Sequence, residues 1–202
     1  MKFFHVGDLH LGKQLHGYDL IKDQEHMLEE LLSYIKKEQP DAVLIAGDIY
    51  DRAVPSGTAM QLLEHFFIQA DELAKEQKAV EIILIAGNHD AAKRLQYGSS
   101  FMKRHHIHIA VMPPQQEDAN LEQVTLTDQE GVVHFYLLPY TKPGMIRHWV
   151  EQEELANTQD AVKFLLEREQ IDWNERNVLL SHQFYLHANE DTVLCDSETP
   201  SF

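Results

Sequence analysis

The sequence predicts an α/β fold with a mixed β-sheet flanked by helices, and three observations support this class. Short apolar, β-branched runs alternate with segments of helical apolar spacing along residues 1–110, which is typical of parallel strands joined by helices. Two further strand-like runs flank a turn at residues 128–131, which predicts an antiparallel hairpin. Several apolar runs end in side chains that can bind a metal or transfer a proton. Because parallel strands end at one edge of a sheet, a functional site is predicted there.

The individual elements are predicted from apolar periodicity and from residues that begin or end helices. Ser56 is a suitable helix N-cap, and Pro40 ends the preceding helix. In the first half we expect strands at residues 3–8, 41–46, 81–86 and 107–111, and helices at residues 20–39, 56–78 and 91–104. In the second half we expect strands at residues 123–127, 132–138 and 177–181, and helices at residues 144–150 and 157–169.

Side chains with metal-binding chemistry follow four of these strands. They are Asp8 and His10 after the first, Asp48 and Asp51 beyond Gly47, Asn88, His89 and Asp90 beyond Gly87, and His182 after the last. Polar groups at the end of a buried strand are costly unless something uses them. Each pattern alone also fits an ordinary turn, because Gly, Asn and Asp all favour turns. The recurrence at four strand ends favours one shared site.

Five of these residues form the predicted metal site: Asp8, His10, Asp48, Asn88 and His182. Their carboxylate, amide and imidazole groups suit Mn²⁺, Fe²⁺ or Zn²⁺. One ion does not need so many ligands, whereas two ions about 3.5–4 Å apart do, with one carboxylate shared. We expect Asp48 to bridge them, with Asp8 and His10 on one ion and Asn88 and His182 on the other. Such a pair activates water and neutralises a phosphate, so phosphoester hydrolysis is predicted.

Further residues near these motifs have predicted roles in the same reaction. His89 is the predicted catalytic residue, which protonates the leaving oxygen or binds the phosphate. Asp51 and Asp90 are expected to accept hydrogen bonds from imidazoles and so orient them. Arg52 and Arg94 are the expected contacts to the anionic substrate, Arg94 because it belongs to the densest basic cluster in the chain.

The composition limits the partners and the compartment. The net charge is −16, divided into −4 for residues 1–110 and −12 for residues 111–202. Such a chain binds nucleic acid poorly without specific help, so DNA would need local basic groups, metal cations or a partner protein. No stretch has the length and hydropathy of a membrane span, and no signal-peptide pattern precedes the first strand, so no membrane partner is expected. The single cysteine, Cys195, excludes an internal disulfide framework and is typical of the cytoplasm.

Taken in order, the motifs resemble those of the calcineurin-like metallophosphoesterase superfamily. The matching positions are Asp8-x-His10, Gly47-Asp48-x-x-Asp51, Gly87-Asn88-His89-Asp90 and His182. The neighbouring residues 8–13, 47–56 and 87–95 are similar to the SbcD family of bacterial nuclease subunits.

This resemblance runs from Met1 to about residue 187 and implies a two-layer mixed β sandwich flanked by helices. It implies two Mn²⁺ ions and cleavage of DNA as a 3′-to-5′ exonuclease and single-strand endonuclease, in DNA repair, recombination and replication. It also implies a homodimer and a coiled-coil ATPase partner of the SbcC type. The helix at residues 56–78 is expected to contribute to the dimer, because Phe66 and Phe67 give it a broad apolar face. His89 matches the family's catalytic histidine.

One motif of the family has no match. Its later Gly-His-x-His pattern is absent, and His187 lacks that context. We therefore expect an incomplete metallophosphoesterase domain at residues 1–187, truncated before its last metal-ligand motif, and the start of a connecting or capping segment at residues 188–202. Two other hypotheses remain: a phosphatase or phosphodiesterase acting on small molecules, and an inactive fragment that serves as a docking scaffold.

Overall fold

A computed structural model describes residues 1–76, 78–150 and 155–185. The strands are β1 (Phe3–Val6), β2 (Gln14–Leu15), β3 (Tyr18–Asp19), β4 (Ala42–Ala46), β5 (Glu81–Ile85), β6 (Ile107–Ala110), β7 (Glu122–Asp128), β8 (Gly131–Leu138) and β9 (Arg176–Ser181). The helices are α1 (Ile21–Glu38), α2 (Gly57–Glu76), α3 (Ala92–Leu95), α4 (Ser99–Met102), α5 (Pro143–Ile146) and α6 (Thr158–Arg168), and a 3₁₀ turn spans Lys103–His105. His187, Cys195 and the segment expected at residues 188–202 lie outside the described residues.

The first sheet is parallel, with strand order β1-β4-β5-β6. Its register pairs Val6 with Ile45 and Ala46 with Ile85, so β1, β4 and β5 end at the same edge. This arrangement confirms the predicted parallel strands and brings three of the four motifs to one rim of the sheet.

The second sheet contains β7, β8 and β9 in that order. β7 and β8 form the predicted antiparallel hairpin, and β9 pairs with β8 in parallel. The expectation of one mixed sheet with the four motif strands as neighbours was therefore wrong, because His182 follows a strand of a different sheet. The two-layer arrangement implied by the family resemblance is the one observed.

Each sheet covers one face of the other, and helices cover the outer faces. Along β4, Val43 and Ile45 pack in a core with α1 and α2, whereas Ala42 and Leu44 pack against the second sheet. This alternation follows from the two-residue period of a strand. A third core lies between β8 and the helices α5 and α6. The sandwich thus has two helix–sheet cores and one sheet–sheet core.

The helix α2 begins as predicted, because the Ser56 hydroxyl accepts a hydrogen bond from the Ala59 N–H at 3.1 Å. Phe66 and Phe67 are 1% and 7% exposed and lie in the core of their own chain. The two rings that suggested a dimer interface are thus accounted for within the chain.

Two local expectations were wrong. The helix expected at residues 91–104 is divided into α3, α4 and a 3₁₀ turn, because Gly98 at φ 78° lies in the left-handed region that interrupts a helix. The segment between the first predicted strand and the first predicted helix, where no strand was expected, forms a small antiparallel hairpin of β2 and β3. No helix within the described ranges is long and apolar enough to cross a bilayer.

Candidate metal centre

The loops that follow β1 and β4 have an unusual backbone at three predicted ligand positions. Asp8, His10 and Asp48 have φ values of 54°, 43° and 49°, in the left-handed region that side chains other than glycine rarely adopt. Such conformations cost about 1–3 kcal/mol each and concentrate at functional sites. The surrounding structure must therefore hold these residues in place.

Backbone hydrogen bonds between the two loops provide part of that restraint. The Asp8 N–H donates to the Gly47 carbonyl at 3.1 Å, and the His10 N–H donates to the Asp48 carbonyl at 2.9 Å. The Leu11 N–H continues the series to the Ile49 carbonyl at 2.9 Å. The chain therefore stays paired beyond the ends of the strands and carries Asp8, His10 and Asp48 as one unit.

Gln24 on α1 holds the same loop from the other side. Its side-chain oxygen accepts the Gly12 N–H at 2.9 Å, and its amide nitrogen donates to the carbonyls of Leu9 and His10 at 3.1 and 2.8 Å. Sequence reasoning missed this residue, because a single glutamine on a helix forms no motif. The role of Gln24 can be recognised only when the positions of the loop carbonyls in the folded chain are known.

Two glycines allow the loops to approach closely. A Cβ atom at Gly87 would overlap the carboxylate and backbone nitrogen of Asp48, and one at Gly47 would overlap the His182 ring. With glycine at 87, the His89 N–H can donate to Asp48 Oδ1 at 2.9 Å. The glycines that mark the motifs are thus needed for space around Asp48 and His182.

Asp48 lies at the centre of the cluster, and its side chain is only 4% exposed. The Nε2 atoms of His10, His89 and His182 lie 3.7, 3.9 and 3.6 Å from Asp48 Oδ2. These separations exceed a hydrogen bond. They fit ligands of a common ion, because two atoms each about 2.0–2.2 Å from a metal lie at most about 4.4 Å apart.

The hydrogen bonds of the imidazoles show which nitrogens face the centre without a proton. His89 Nδ1 donates to the Asp51 carbonyl at 2.8 Å, and His182 Nδ1 donates to the Ala46 carbonyl at 2.6 Å. In a neutral imidazole the other nitrogen then carries a lone pair. Both lone pairs point towards Asp48, and His182 Nε2 also lies 3.1 Å from the Asn88 side-chain oxygen. Several hydrogen-bond acceptors therefore face one another, and a bound cation would offset the repulsion between their lone pairs.

Among the described residues, the atoms form two groups that share Asp48. One contains His10, Asp48 and His89, and the other contains Asp8, Asp48 and His182, with ligand atoms within 4.8 Å of one another in each group. Asp8 Oδ1 also lies 3.8 Å from His10 Nε2, so the Asp8 carboxylate is close to both groups. All five predicted ligands thus meet at one place, and the donor set fits divalent ions.

His10 Nδ1 is a buried nitrogen with no hydrogen-bond partner in the described part of the chain. The nearest carboxylate oxygen, on Asp51, is 3.7 Å away. Burial lowers the pKa of the His10 imidazole, and the negative charge of Asp48 offsets only part of this effect. The neutral form, which is the form that binds a metal, is favoured.

The roles expected for Asp51 and Asp90 need correction. Asp51 orients the His89 ring with its backbone carbonyl and not with its carboxylate. Among the described residues no imidazole donates to Asp90; its carboxylate accepts the N–H groups of Gly87, Ile49 and Tyr50 at 2.9, 3.1 and 3.0 Å. Burial raises the pKa of Asp90 in spite of these hydrogen bonds. Asp90 therefore joins the loops after β4 and β5 through their backbones.

The two predicted substrate contacts lie at the surface. Arg52 is 71% exposed and its Nε lies 3.6 Å from the Asp51 carboxylate. Arg94 is exposed on α3 and makes no ion pair within the described ranges.

Comparison with known proteins agrees with this arrangement. The calcineurin-like phosphoesterase family model matches residues 1–195. The chain belongs to the calcineurin-like phosphoesterase family. This phosphoesterase is similar to the SbcD subunit of the nuclease SbcCD from Staphylococcus epidermidis, with 33% identity over 202 residues that cover 99% of the chain and 50% of that protein.

A second relative gives the same result. The SbcD subunit of the nuclease SbcCD from Staphylococcus saprophyticus is 34% identical over 184 residues, which cover 90% of the phosphoesterase and 46% of that protein. The phosphoesterase thus spans about half the length of the curated relatives it matches.

Proposed function

We propose that this phosphoesterase is the nuclease domain of a DNA-cleaving subunit and that it hydrolyses phosphodiesters with two divalent metal ions. The observation that carries the proposal is the convergence of three imidazole Nε2 atoms, from His10, His89 and His182, within 3.9 Å of Asp48 Oδ2. The names of the two relatives support DNA as the substrate. We assign 3′-to-5′ exonuclease and single-strand endonuclease activities, with Mn²⁺ as the ion.

In the proposed mechanism Asp8, His10, Asp48, Asn88 and His182 hold the ions, and Asp48 is the shared ligand. The ions would supply a hydroxide nucleophile near neutral pH and neutralise the phosphate oxygens. His89 stands beside His10, with ring centroids 4.8 Å apart and planes at 84°.

His89 has a distinct role because its Nδ1 is held by the Asp51 carbonyl. Nε2 is then the nitrogen that faces the site, and in the imidazolium form of the ring it can give its proton to the leaving oxygen. A correctly placed general acid contributes about 10²–10⁴-fold to such a reaction.

The proposed assembly follows the relatives and the charge of the chain. An overall charge of −16 disfavours unassisted DNA binding, so we propose that an SbcC-type ATPase partner contributes to the grip on DNA, together with Arg52 and Arg94. We also propose a homodimer that uses α2, on which Met60 and Ile68 remain 45% and 50% exposed. The single cysteine supports a cytoplasmic location.

The test is cleavage of end-labelled single- and double-stranded DNA in Mn²⁺ by the chain and by its His89→Gln variant. We expect shortening from the 3′ end, reduced about 10²–10⁴-fold in the variant. The matched control is His26→Gln, because His26 is 72% exposed on α1 and, within the described residues, pairs with Glu29 and Glu30 alone.

Other outcomes would identify the competing hypotheses. Hydrolysis of nucleotide monoesters without cleavage of DNA would indicate a small-molecule phosphatase. Equal activities of the chain and of His89→Gln on every substrate would indicate a docking scaffold.

A further inference from the structure

We propose that Lys142 and Tyr140 form a phosphate-contacting pair beside the metal centre that holds a single nucleic acid strand as it enters. The inference rests on the proposed function, because it assigns a polyanionic strand to the same site. Neither residue belongs to the motifs, and the sequence marks their segment only as a break between elements.

The segment at residues 139–143 is fixed against the site by its backbone. The Tyr140 N–H donates to the Ala86 carbonyl at 2.9 Å, directly before Gly87 and Asn88. Thr141 is fully buried, and its hydroxyl donates to the Pro139 carbonyl at 2.8 Å. Tyr140 and Lys142 are therefore displayed from a fixed backbone.

A second contact ties the segment to the other sheet. The Gln183 side chain donates to the Thr141 carbonyl at 3.3 Å, one residue beyond His182. The segment is thus held both by the end of β5 and by the residue that follows a proposed ligand.

Tyr140 contacts both the lysine and a residue of the metal centre. Its ring lies edge to face with the His182 imidazole, with centroids 6.3 Å apart and planes at 77°. The Lys142 ammonium lies 5.4 Å from the centre of the same ring. A cation over an aromatic face is attracted to it, which restrains a side chain that would otherwise be mobile.

The charge on Lys142 is not neutralised by the part of the chain that the structure describes. Lys2, Lys78 and Lys163 each pair with a carboxylate, whereas Lys142 has only the Tyr140 ring. Residues 131–150 contain no Asp or Glu, although the whole chain carries a net charge of −16. An exposed, restrained and unpaired ammonium next to a phosphoester site fits a phosphate of the bound strand.

The ligand class follows from the neighbouring chemistry. The site hydrolyses a phosphate in the proposed function, and a polynucleotide places further phosphates on both sides of it. Lys142 would contact one of these flanking phosphates and would thereby favour polynucleotides over mononucleotides. One such contact on a single strand changes the slope of log affinity against log salt by about 0.7.

The experiment is fluorescence anisotropy of a labelled single-stranded oligonucleotide bound to the chain in EDTA, at several salt concentrations. We expect Lys142→Gln to weaken binding about fivefold and to reduce the salt slope by about 0.7, and Lys142→Arg to retain both. Lys22→Gln is the matched control, because Lys22 is exposed on α1 and has no ion pair within the described residues.

The ring is tested separately. Tyr140→Phe keeps the aromatic face and should bind as the unchanged chain does, whereas Tyr140→Leu should lose as much affinity as Lys142→Gln. Melting followed by circular dichroism verifies that each variant folds. If Tyr140→Leu does not fold, the lysine variants alone decide whether the phosphate contact exists.

The outcomes separate this inference from the proposed function. If the chain does not bind the oligonucleotide, or if Lys142→Gln matches Lys22→Gln in affinity and slope, the phosphate contact is refuted. Tyr140→Leu that folds and binds as the unchanged chain refutes the pairing with the ring. Binding that depends on Lys142 in a chain unable to cleave DNA supports the inference and refutes the nuclease assignment.

Discussion

Replacing Asp90 by Asn tests whether this carboxylate holds the metal-centre loops together. Asp90 Oδ2 accepts the N–H groups of Gly87 and Ile49, and Oδ1 accepts the N–H of Tyr50. An asparagine has the same shape but only one acceptor oxygen. At least one of the three N–H groups would then face the NH₂ group and have no acceptor.

The expected loss of stability can be worked from these contacts. A hydrogen bond to a charged group contributes about 1.5–3 kcal/mol, and an unsatisfied buried donor costs about 1–3 kcal/mol. The burial that raises the pKa of Asp90 also penalises its charge, so removing the charge returns part of the loss. We expect Asp90→Asn to lower the free energy of unfolding by about 1–3 kcal/mol, and Asp90→Ala by about 3–5 kcal/mol, because three donors lose their acceptor.

The assay is urea unfolding followed by circular dichroism, with Mn²⁺ binding measured by calorimetry on the folded variants. Asp172→Asn is the control, because within the described residues the Asp172 carboxylate accepts hydrogen bonds from the exposed Asn174 alone. Unfolding midpoints equal to that of the unchanged chain, or equal losses in the Asn and Ala variants, would refute this account of Asp90.

Three further outcomes are expected. Gln24→Ala should lower the free energy of unfolding by about 2–3 kcal/mol and weaken Mn²⁺ binding, because three loop groups each lose a hydrogen bond. A calorimetric titration identical to that of the unchanged chain would contradict this. Burial alone would raise the pKa of Glu81, but hydrogen bonds from His108 and His106 outweigh it and lower that pKa, so the stability from Glu81 is present above about pH 4.5 and is lost as the pH falls. Glu81→Gln should therefore lower the free energy of unfolding by about 1 kcal/mol at pH 7 and by progressively less below pH 4.5. The control Glu29→Gln, at an exposed position, should change this free energy almost not at all at either pH. A loss for Glu81→Gln that grows in acid would contradict the predicted direction of the pH dependence. Addition of Mn²⁺ should raise the melting temperature and EDTA should reverse the shift, because an ion bound only by the folded chain stabilises it; a melting curve insensitive to both would count against a metal centre.

Much of the fold could be predicted because its signals are local. The buried strand around Val43 and Ile45 is a continuous apolar run closed by Gly47, and such runs are characteristic of strands covered on both faces. The division into two sheets has no such local signal in the sequence. The hairpin chemistry of residues 128–131 is the same whether the strands extend the first sheet or form another.

The candidate site shows the same limit. Asp8, Asp48 and Asn88 could be predicted because glycine, ligand chemistry and a strand end coincide in the sequence. Gln24 and Tyr140 could not, since each acts through backbone or ring contacts that exist only in the folded chain. Asp90 was found but assigned the wrong partner, because the same carboxylate can accept an imidazole or a backbone N–H.

The position of His182 on the second sheet has a consequence for synthesis of the protein. The chain lengthens by 172 residues between His10 and His182. At synthesis rates of about 5–20 residues per second, a nascent chain that has completed β1 waits roughly ten to thirty seconds for His182, the last proposed ligand within the described residues. Until β9 leaves the ribosome and docks beside β8, the centre lacks an imidazole. The proposed metal centre should therefore stay incomplete on the polysome, and it becomes complete only when the second sheet has packed against the first.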